Sequence, residues 1–199
     1  AWRSEAGEFV DVTGDTMTGD LTISGADLVM SNGEIIAATG AETTPSITFD
    51  GDTNTGLYSP GADQVAVTTG GTGRLFVDGS GNVGIGATSP AATLDLNGNY
   101  TSNVTAVSAL NIDCSAGNYF TKTINANSTF TFSNVPSSRA YSFTLELTHT
   151  SGTVTWPTSV EFPDDTAPTL TTGKTHLFMF ITDDGGTRFR GAALVDYDN

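Results

Sequence analysis

The chain has 199 residues, which is room for one domain or two small ones. It carries 22 Asp and Glu against 7 Lys and Arg, a formal net charge of −15, so nucleic acid and anionic membrane surfaces would repel it. Only 15% of the residues are charged, and Gly, Thr, Ser, Asn and Asp, the residues of strands and turns, are abundant, so we predict an all-β protein.

The N-terminal segment 1–13 is too short to fold alone, and we expect it to be a linker or an anchoring segment. Because the sequence opens with Ala1 rather than Met, we expect a processed chain or a piece of a longer polypeptide. No stretch approaches the roughly 18 apolar residues of a membrane span, and the start lacks the pattern of a signal peptide, so we expect no membrane insertion. Cys114 is the only cysteine, which excludes an intrachain disulfide.

Segment 14–99 alternates short apolar pieces with turn signals. The apolar pieces are Leu21–Ile23, Leu28–Met30, Glu34–Ile36, Ile47–Phe49, Val65–Val67, Leu75–Val77, Val83–Ile85 and Leu94–Leu96. Residues typical of turns separate them at the roughly 8 to 12 residue interval of all-β proteins, so we predict short strands. Each piece offers too few apolar side chains for a packed core, and we therefore expect identical chains to cover one another in an intertwined oligomeric shaft.

From about residue 100 the apolar segments become longer and more aromatic, and we expect a second domain over residues 100–199. Tyr141–Thr150 alternates apolar with polar residues, as in a strand with one buried face. Leu177–Ile181 is apolar at every position, which predicts a central strand buried on both faces. A turn rich in Asp and Gly follows and predicts an antiparallel hairpin over residues 175–196. Together these strands predict a jelly-roll-like β-sandwich, which we call the knob.

Several segments resemble parts of bacteriophage fibre proteins. Gly14–Leu21 (GDTMTGDL) resembles a segment that recurs in tail-fibre and related virion-fibre proteins. Asp78–Pro90 (DGSGNVGIGATSP) is similar to a repeat of phage fibre shafts, with Ala87 where Thr is commoner, and Pro45–Ser59 is similar to a shaft segment of marine-phage fibres. Residues 156–191 resemble the terminal β-sandwich of some phage structural proteins.

The resemblance implies a homotrimeric virion fibre that assembles in the host cytoplasm and is anchored to another virion protein near residues 1–13. Its knob would meet a host receptor or glycan, and a tail fibre is the interpretation we favour. The alternatives are a head or collar fibre, a decoration protein with a purely structural role, a carbohydrate-degrading tailspike and a bacterial surface adhesin. The chain is short for the sugar groove of a tailspike, and it lacks the export signal of an adhesin.

One segment resembles the start of a calcium loop. Asp50, Asp52 and Asn54 place oxygen-bearing side chains at alternate positions, as such a loop requires. Its later glycine and its bidentate Glu are replaced by Thr55 and Gly61, so we expect an ordinary turn without a bound metal.

Other motifs do not support an enzyme or a cofactor. Gly79–Gly84 has the glycines of a dinucleotide fingerprint, but the residues after it cannot open the helix that would bind the phosphates. His149 and His176 fall on predicted strands, and neither has catalytic spacing to Cys114. We therefore predict a protein that is not an enzyme and binds no cofactor.

Four residues of the knob are candidates for receptor contacts. Trp156, Arg188, Arg190 and Tyr197 are of the aromatic and Arg types that dominate recognition surfaces and sugar stacking. For Trp156, which precedes Pro157, the alternative is a role in the core of the knob.

Overall fold

The structure is a computed structural model that describes residues 33–198. These residues form strands, turns and two short 3₁₀ turns without an α-helix, so the prediction of an all-β protein is confirmed. The chain divides between Asn97 and Gly98 into two compact units, called here the first and the second unit. Within residues 33–198 no helix is long and apolar enough to cross a membrane.

The first unit is built on one six-stranded sheet, in which the strands follow their order along the chain. They are β1 (Ile47–Phe49), β2 (Asp52–Tyr58), β3 (Val65–Thr69), β4 (Thr72–Val77), β5 (Val83–Ile85) and β6 (Leu94–Leu96). Neighbours pair antiparallel from β1 to β5, and β6 is parallel to β5. Each of these strands pairs within one chain, and intertwining of copies therefore remains a prediction.

Five of the predicted strands of this segment are confirmed, as β1, β3, β4, β5 and β6. The strand predicted at Glu34–Ile36 is wrong, because this piece has no regular structure and its two Ile side chains find no neighbouring strand. The predicted strands Leu21–Ile23 and Leu28–Met30, segment 1–13 and the Gly14–Leu21 motif lie outside the described residues.

Glycine and Asp residues explain the turns of the first unit. Gly70 and Gly71 join β3 to β4 with φ of +58° and +70°, a two-residue hairpin turn that favours glycine. Between β4 and β5, the Asp78 carboxylate accepts the backbone N–H groups of Ser80 and Asn82 at 2.8 and 2.9 Å. The DGSGN motif is therefore a side-chain-stabilised turn between two strands.

The second unit contains the remaining strands. They are β7 (Val104–Ala106), β8 (Asn111–Asp113), β9 (Tyr119–Asn125), β10 (Ser128–Thr129), β11 (Thr131–Ser133), β12 (Tyr141–Ser151), β13 (Val154–Thr155), β14 (Val160–Glu161), β15 (Lys174–Thr182) and β16 (Phe189–Tyr197). The main sheet has the order β14-β16-β15-β12-β9-β7, and β8 with β11 and β10 with β13 form two short parallel pairs. Strands β15 and β16 form the predicted antiparallel hairpin. Short 3₁₀ turns lie at Cys114–Ala116 and Pro163–Asp165.

An aromatic core fills the space on one side of the main sheet. The alternation predicted for β12 is confirmed, since Phe143, Leu145 and Leu147 are buried and the residues between them are partly exposed. The chain that includes the two short parallel pairs covers this side, and it contributes the buried Ile112 and Phe130 to the core. We call this side of the main sheet its inner face.

On the opposite, outer face of the main sheet, the prediction that Leu177–Ile181 is buried on both faces is wrong. In Leu177–Ile181, Phe178 and Phe180 are almost fully buried, but Met179 and Ile181 are 45% and 48% exposed. The segment was expected to be buried on both faces. The segments that contain β8, β10, β11 and β13 pack against the inner face of the main sheet. No described residue covers the apolar side chains of the outer face.

Candidate functional site

The first unit carries an open face made of aliphatic side chains. The strand register aligns one such side chain from each of the six strands: Ile47, Leu57, Val67, Leu75, Ile85 and Leu96. A second row on the same face consists of Val65, Val77, Val83 and Leu94. All are exposed or half-buried, with Ile47 at 52% and Leu94 at 59%. We call this the aliphatic face, and an exposed apolar patch of this kind is typical of a contact surface.

The other face of this sheet is covered by the chain itself. Tyr58, Ala66 and Phe76 form a small buried cluster there. On the same face the buried Thr68 hydroxyl donates to the Glu42 carbonyl at 2.7 Å, which ties the preceding loop over the sheet. Within residues 33–97, the first unit therefore buries one face of the sheet by its own residues, and no described residue covers the aliphatic face.

The outer face of the second unit differs in chemistry, because it carries polar side chains on β9 and β12 and apolar side chains on the strands to either side. One cross-strand row reads Val104, Tyr119, Thr144, Met179 and Ala192. The next row on this face reads Ala106, Thr121, Glu146, Leu177 and Leu194. This pattern suits a surface that contacts both apolar and hydroxyl groups.

A cleft of 710 Å³ opens on this outer face and is called the outer cleft. The segment before β7 contributes Tyr100 and Ser102, and the sheet contributes most of the rest, including Tyr119, Ser142, Thr144, Met179, Ile181 and Arg190. The size lies within the range of about 300 to 1,000 Å³ that is usual for ligand sites. Tyr100 is 72% exposed, so most of its side chain is accessible to a ligand.

Some polar groups of the outer cleft are paired and others are open. The Tyr119 hydroxyl donates to Glu146 Oε2 at 2.7 Å, and this hydrogen bond is the main cause that raises the pKa of Tyr119. The hydroxyls of Ser102, Ser142 and Thr144 have no hydrogen-bond partner among residues 33–198. These three hydroxyls are therefore available to a ligand as both donors and acceptors.

The structure brings Arg188 and Arg190 to one carboxylate. Arg190 Nη1 lies 3.6 Å from Asp183 Oδ1, and Arg188 Nη2 lies 4.0 Å from the same oxygen. Arg188 also has its Nε 4.0 Å from Glu161 Oε2. Only Arg190 lines the outer cleft, so the two predicted contact residues are neighbours with different access to it.

The other two predicted contact residues lie elsewhere. Trp156 packs with the aromatic core, with ring centroids 4.6 Å from Phe178 and 5.2 Å from Phe130, as its alternative role required. Tyr197 ends β16 opposite Thr175; it is 43% exposed and does not line the cleft.

Sequence reasoning missed most of the outer cleft. Tyr100 stands close to the boundary between the units and follows no motif. Met179 and Ile181 were assigned to the core, since their segment is apolar throughout. Exposed and buried residues alternate in β15 because the rest of the second unit packs on one side of the sheet only.

The candidate calcium segment is a hairpin. Asp50 and Gly51 form the turn between β1 and β2, whereas Asp52 and Asn54 are exposed residues of strand β2. The expected turn is therefore shorter than predicted, because a strand follows directly. Over residues 33–198, no group of three or more His, Cys, Asp and Glu side chains is placed to hold a metal ion.

The histidines and the cysteine are buried in the second unit, and the rings of His149 and His176 lie 6.0 Å apart. His176 Nε2 donates to the Thr171 carbonyl and its Nδ1 accepts the Asp196 N–H, both at 3.2 Å. Burial is the main cause that lowers the pKa of His176. Burial also raises the pKa of the Cys114 thiol to about 11, and a protonated thiol does not favour nucleophilic chemistry.

Comparison with protein families, with curated protein sequences and with solved structures finds no match for this chain. Function is therefore inferred from the two surfaces described above and from the local sequence resemblances.

Proposed function

We propose that this chain is a structural fibre protein of a bacteriophage virion, specifically a tail fibre that contributes to host attachment through its knob. Residues 14–99 belong to the shaft and residues 100–199 form the knob, while residues 1–13 link or anchor the fibre. The role is mechanical and adhesive rather than enzymatic. The resemblance of Asp78–Pro90 to phage shaft repeats and the two-unit, all-β architecture support this function.

The observation that carries the function is the aliphatic face. Burying the exposed half of a Val, Leu or Ile side chain contributes roughly 1 kcal/mol, so one row of six and one row of four such side chains strongly favour a covering partner. None of the ten residues of the aliphatic face is charged, so contact between copies at this face brings no like charges directly together, although each copy carries a net charge of −15. A closed homotrimer covers the face, and its three knobs bind a host surface with avidity.

Locating the protein on the particle tests this function. Gold-labelled antibodies against the purified chain are applied to particles of the phage that encodes it and viewed by electron microscopy. We expect the label on the tail fibres. Label on the capsid or collar would instead identify a head fibre or a decoration protein, and particles without label would contradict a virion role.

Incubation with bacterial surface polysaccharide tests the non-enzymatic role. We expect no new reducing ends after prolonged incubation with the full chain. Release of reducing ends would show that the chain is a depolymerase, and its function would then be that of a tailspike.

A further inference from the structure

The outer cleft combines three kinds of contact group. Tyr100 offers a largely exposed aromatic ring, and Met179 and Ile181 add exposed apolar surface between the strands. Ser142 and Thr144 offer hydroxyls that have no partner in the described chain. The cleft therefore differs from the aliphatic face, which has no hydrogen-bonding side chains to satisfy.

Charge narrows the class of ligand. Among residues 33–198, Arg190 is the only cation that lines the cleft, and its Nη1 lies 3.6 Å from Asp183 Oδ1. Binding of phosphate chains requires several cations, and the net charge of −15 opposes polyanions further. The open hydroxyls disfavour a purely apolar ligand, because each would lose water without gaining a partner.

A saccharide satisfies all of these groups. The C–H faces of a sugar ring pack against aromatic and apolar side chains, while its hydroxyls donate to and accept from Ser, Thr and Arg. Most sugars are uncharged, so the acidic chain does not repel them. The volume of 710 Å³ and the open shape suit one or two rings of a longer chain.

We propose that the outer cleft binds a saccharide of the bacterial surface, with one ring packed against Tyr100, Met179 and Ile181 and its hydroxyls bonded to Ser142, Thr144 and Arg190. This inference rests on the proposed attachment function and names its site and ligand class. It also moves the contact surface away from Trp156 and Tyr197.

Matched substitutions test the cleft. The full chain is screened on an array of purified bacterial O-antigens and capsular polysaccharides, and the dissociation constant of the best binder is measured by biolayer interferometry. We expect Tyr100→Ala and Arg190→Gln to weaken binding about tenfold or more. The controls Tyr197→Ala and Arg188→Gln change the same residue types outside the cleft, and they should stay within about twofold of the parent.

The outcomes separate this site from the fibre function. Equal binding by parent and cleft variants would overturn the site while polysaccharide attachment stands. If the chain binds no member of the array, the proposal that the ligand is a saccharide is wrong. Particle labelling would still test the fibre function independently. If Tyr100→Ala or Arg190→Gln changes the oligomer mass in light scattering, the cleft is a contact between copies and the inference is wrong.

Discussion

At the scale of single residues, the second unit holds His176 in its neutral form. The Thr171 carbonyl can only accept a hydrogen bond and the Asp196 N–H can only donate one, so the two hydrogen bonds require a proton on Nε2 and none on Nδ1. Protonation of Nδ1 would break the hydrogen bond from the Asp196 N–H and place a charge in a fully buried site, and the Asp196 carboxylate 3.8 Å from Nδ1 offsets the cost of burial only in part. This arrangement makes the stability of the unit depend on pH.

We expect the free energy of unfolding to fall as the pH decreases from 7.5 to 5.5. The pKa of His176 is lowered from 6.5 in the folded chain, so below pH 6.5 the unfolded chain binds a proton that the folded chain does not. Above that pH both states are neutral and the effect vanishes. Urea unfolding at the two pH values measures the difference, and Asp and Glu remain ionised over this window.

The variant His176→Gln isolates this group. Gln retains a donor and an acceptor but does not titrate, so the difference between the two pH values should shrink. An unchanged difference in the variant would assign the pH dependence to another group.

Cys114 gives a second prediction at this scale. Its side chain is 3% exposed and burial raises its pKa to about 11, two units above the ordinary 9.0. The thiolate fraction is then about 100-fold lower, and we expect a disulfide reagent at pH 8 to react at least about 100-fold more slowly with the native than with the unfolded chain.

The double variant Cys114→Ser with Ser115→Cys is the control for accessibility. Position 115 is exposed, so its thiol should react in the native chain nearly as fast as in the unfolded one. Fast native reaction of the parent Cys114 would contradict its burial.

At the scale of secondary-structure elements, two glycines with similar backbone angles, one just after β12 and one just before β15, test how closely the chain packs at the ends of these strands. Gly152 and Gly173 have φ of +91° and +83°, so a side chain at either costs about 1 to 2 kcal/mol of backbone strain. A Cβ at Gly152 would also lie 2.1 Å from the Ala126 carbonyl carbon, whereas one at Gly173 meets no atom within 4 Å.

We expect Gly152→Ala to lower the free energy of unfolding by about 2 kcal/mol more than Gly173→Ala, because the backbone near Ala126 must move. Denaturant unfolding of the two variants measures this. If the two variants lose the same free energy of unfolding, backbone strain alone accounts for both losses. The close contact near Ala126 would then be relieved without cost.

The elements also show where sequence patterns succeed. The alternation of β12 predicts its buried face, since a strand of eleven residues repeats the pattern several times. Strand β2 was missed because Asp52–Gly56 is polar and lacks that pattern. Its conformation is determined by hydrogen bonds to β1 and β3 on either side.

At the scale of the whole molecule, the aliphatic face predicts the oligomeric state. Light scattering behind a sizing column should give about 62 kDa, three times the chain mass of 20.6 kDa. Ile85→Asp places a charge on the aliphatic face and should reduce the mass toward that of one chain.

Leu194→Asp is the matched control for this measurement. Leu194 is 52% exposed against 48% for Ile85, but it belongs to the outer face of the second unit. The Leu194→Asp variant should therefore have the same mass in solution as the parent chain. A parent that is monomeric would leave the aliphatic face without a partner and would contradict the trimeric fibre.

Local sequence patterns were enough to predict the all-β class, most strands of the first unit and the β15–β16 hairpin, because turn residues and period-two alternation act over a few neighbouring positions. Which faces of the two sheets are covered follows from the way distant parts of the chain pack together. The register across six strands collects scattered Val, Leu and Ile residues into one aliphatic face, and the packing of chain on one side of the main sheet leaves Met179 and Ile181 open beside Tyr100. Both surfaces depend on contacts between residues far apart in the chain, which no local pattern specifies.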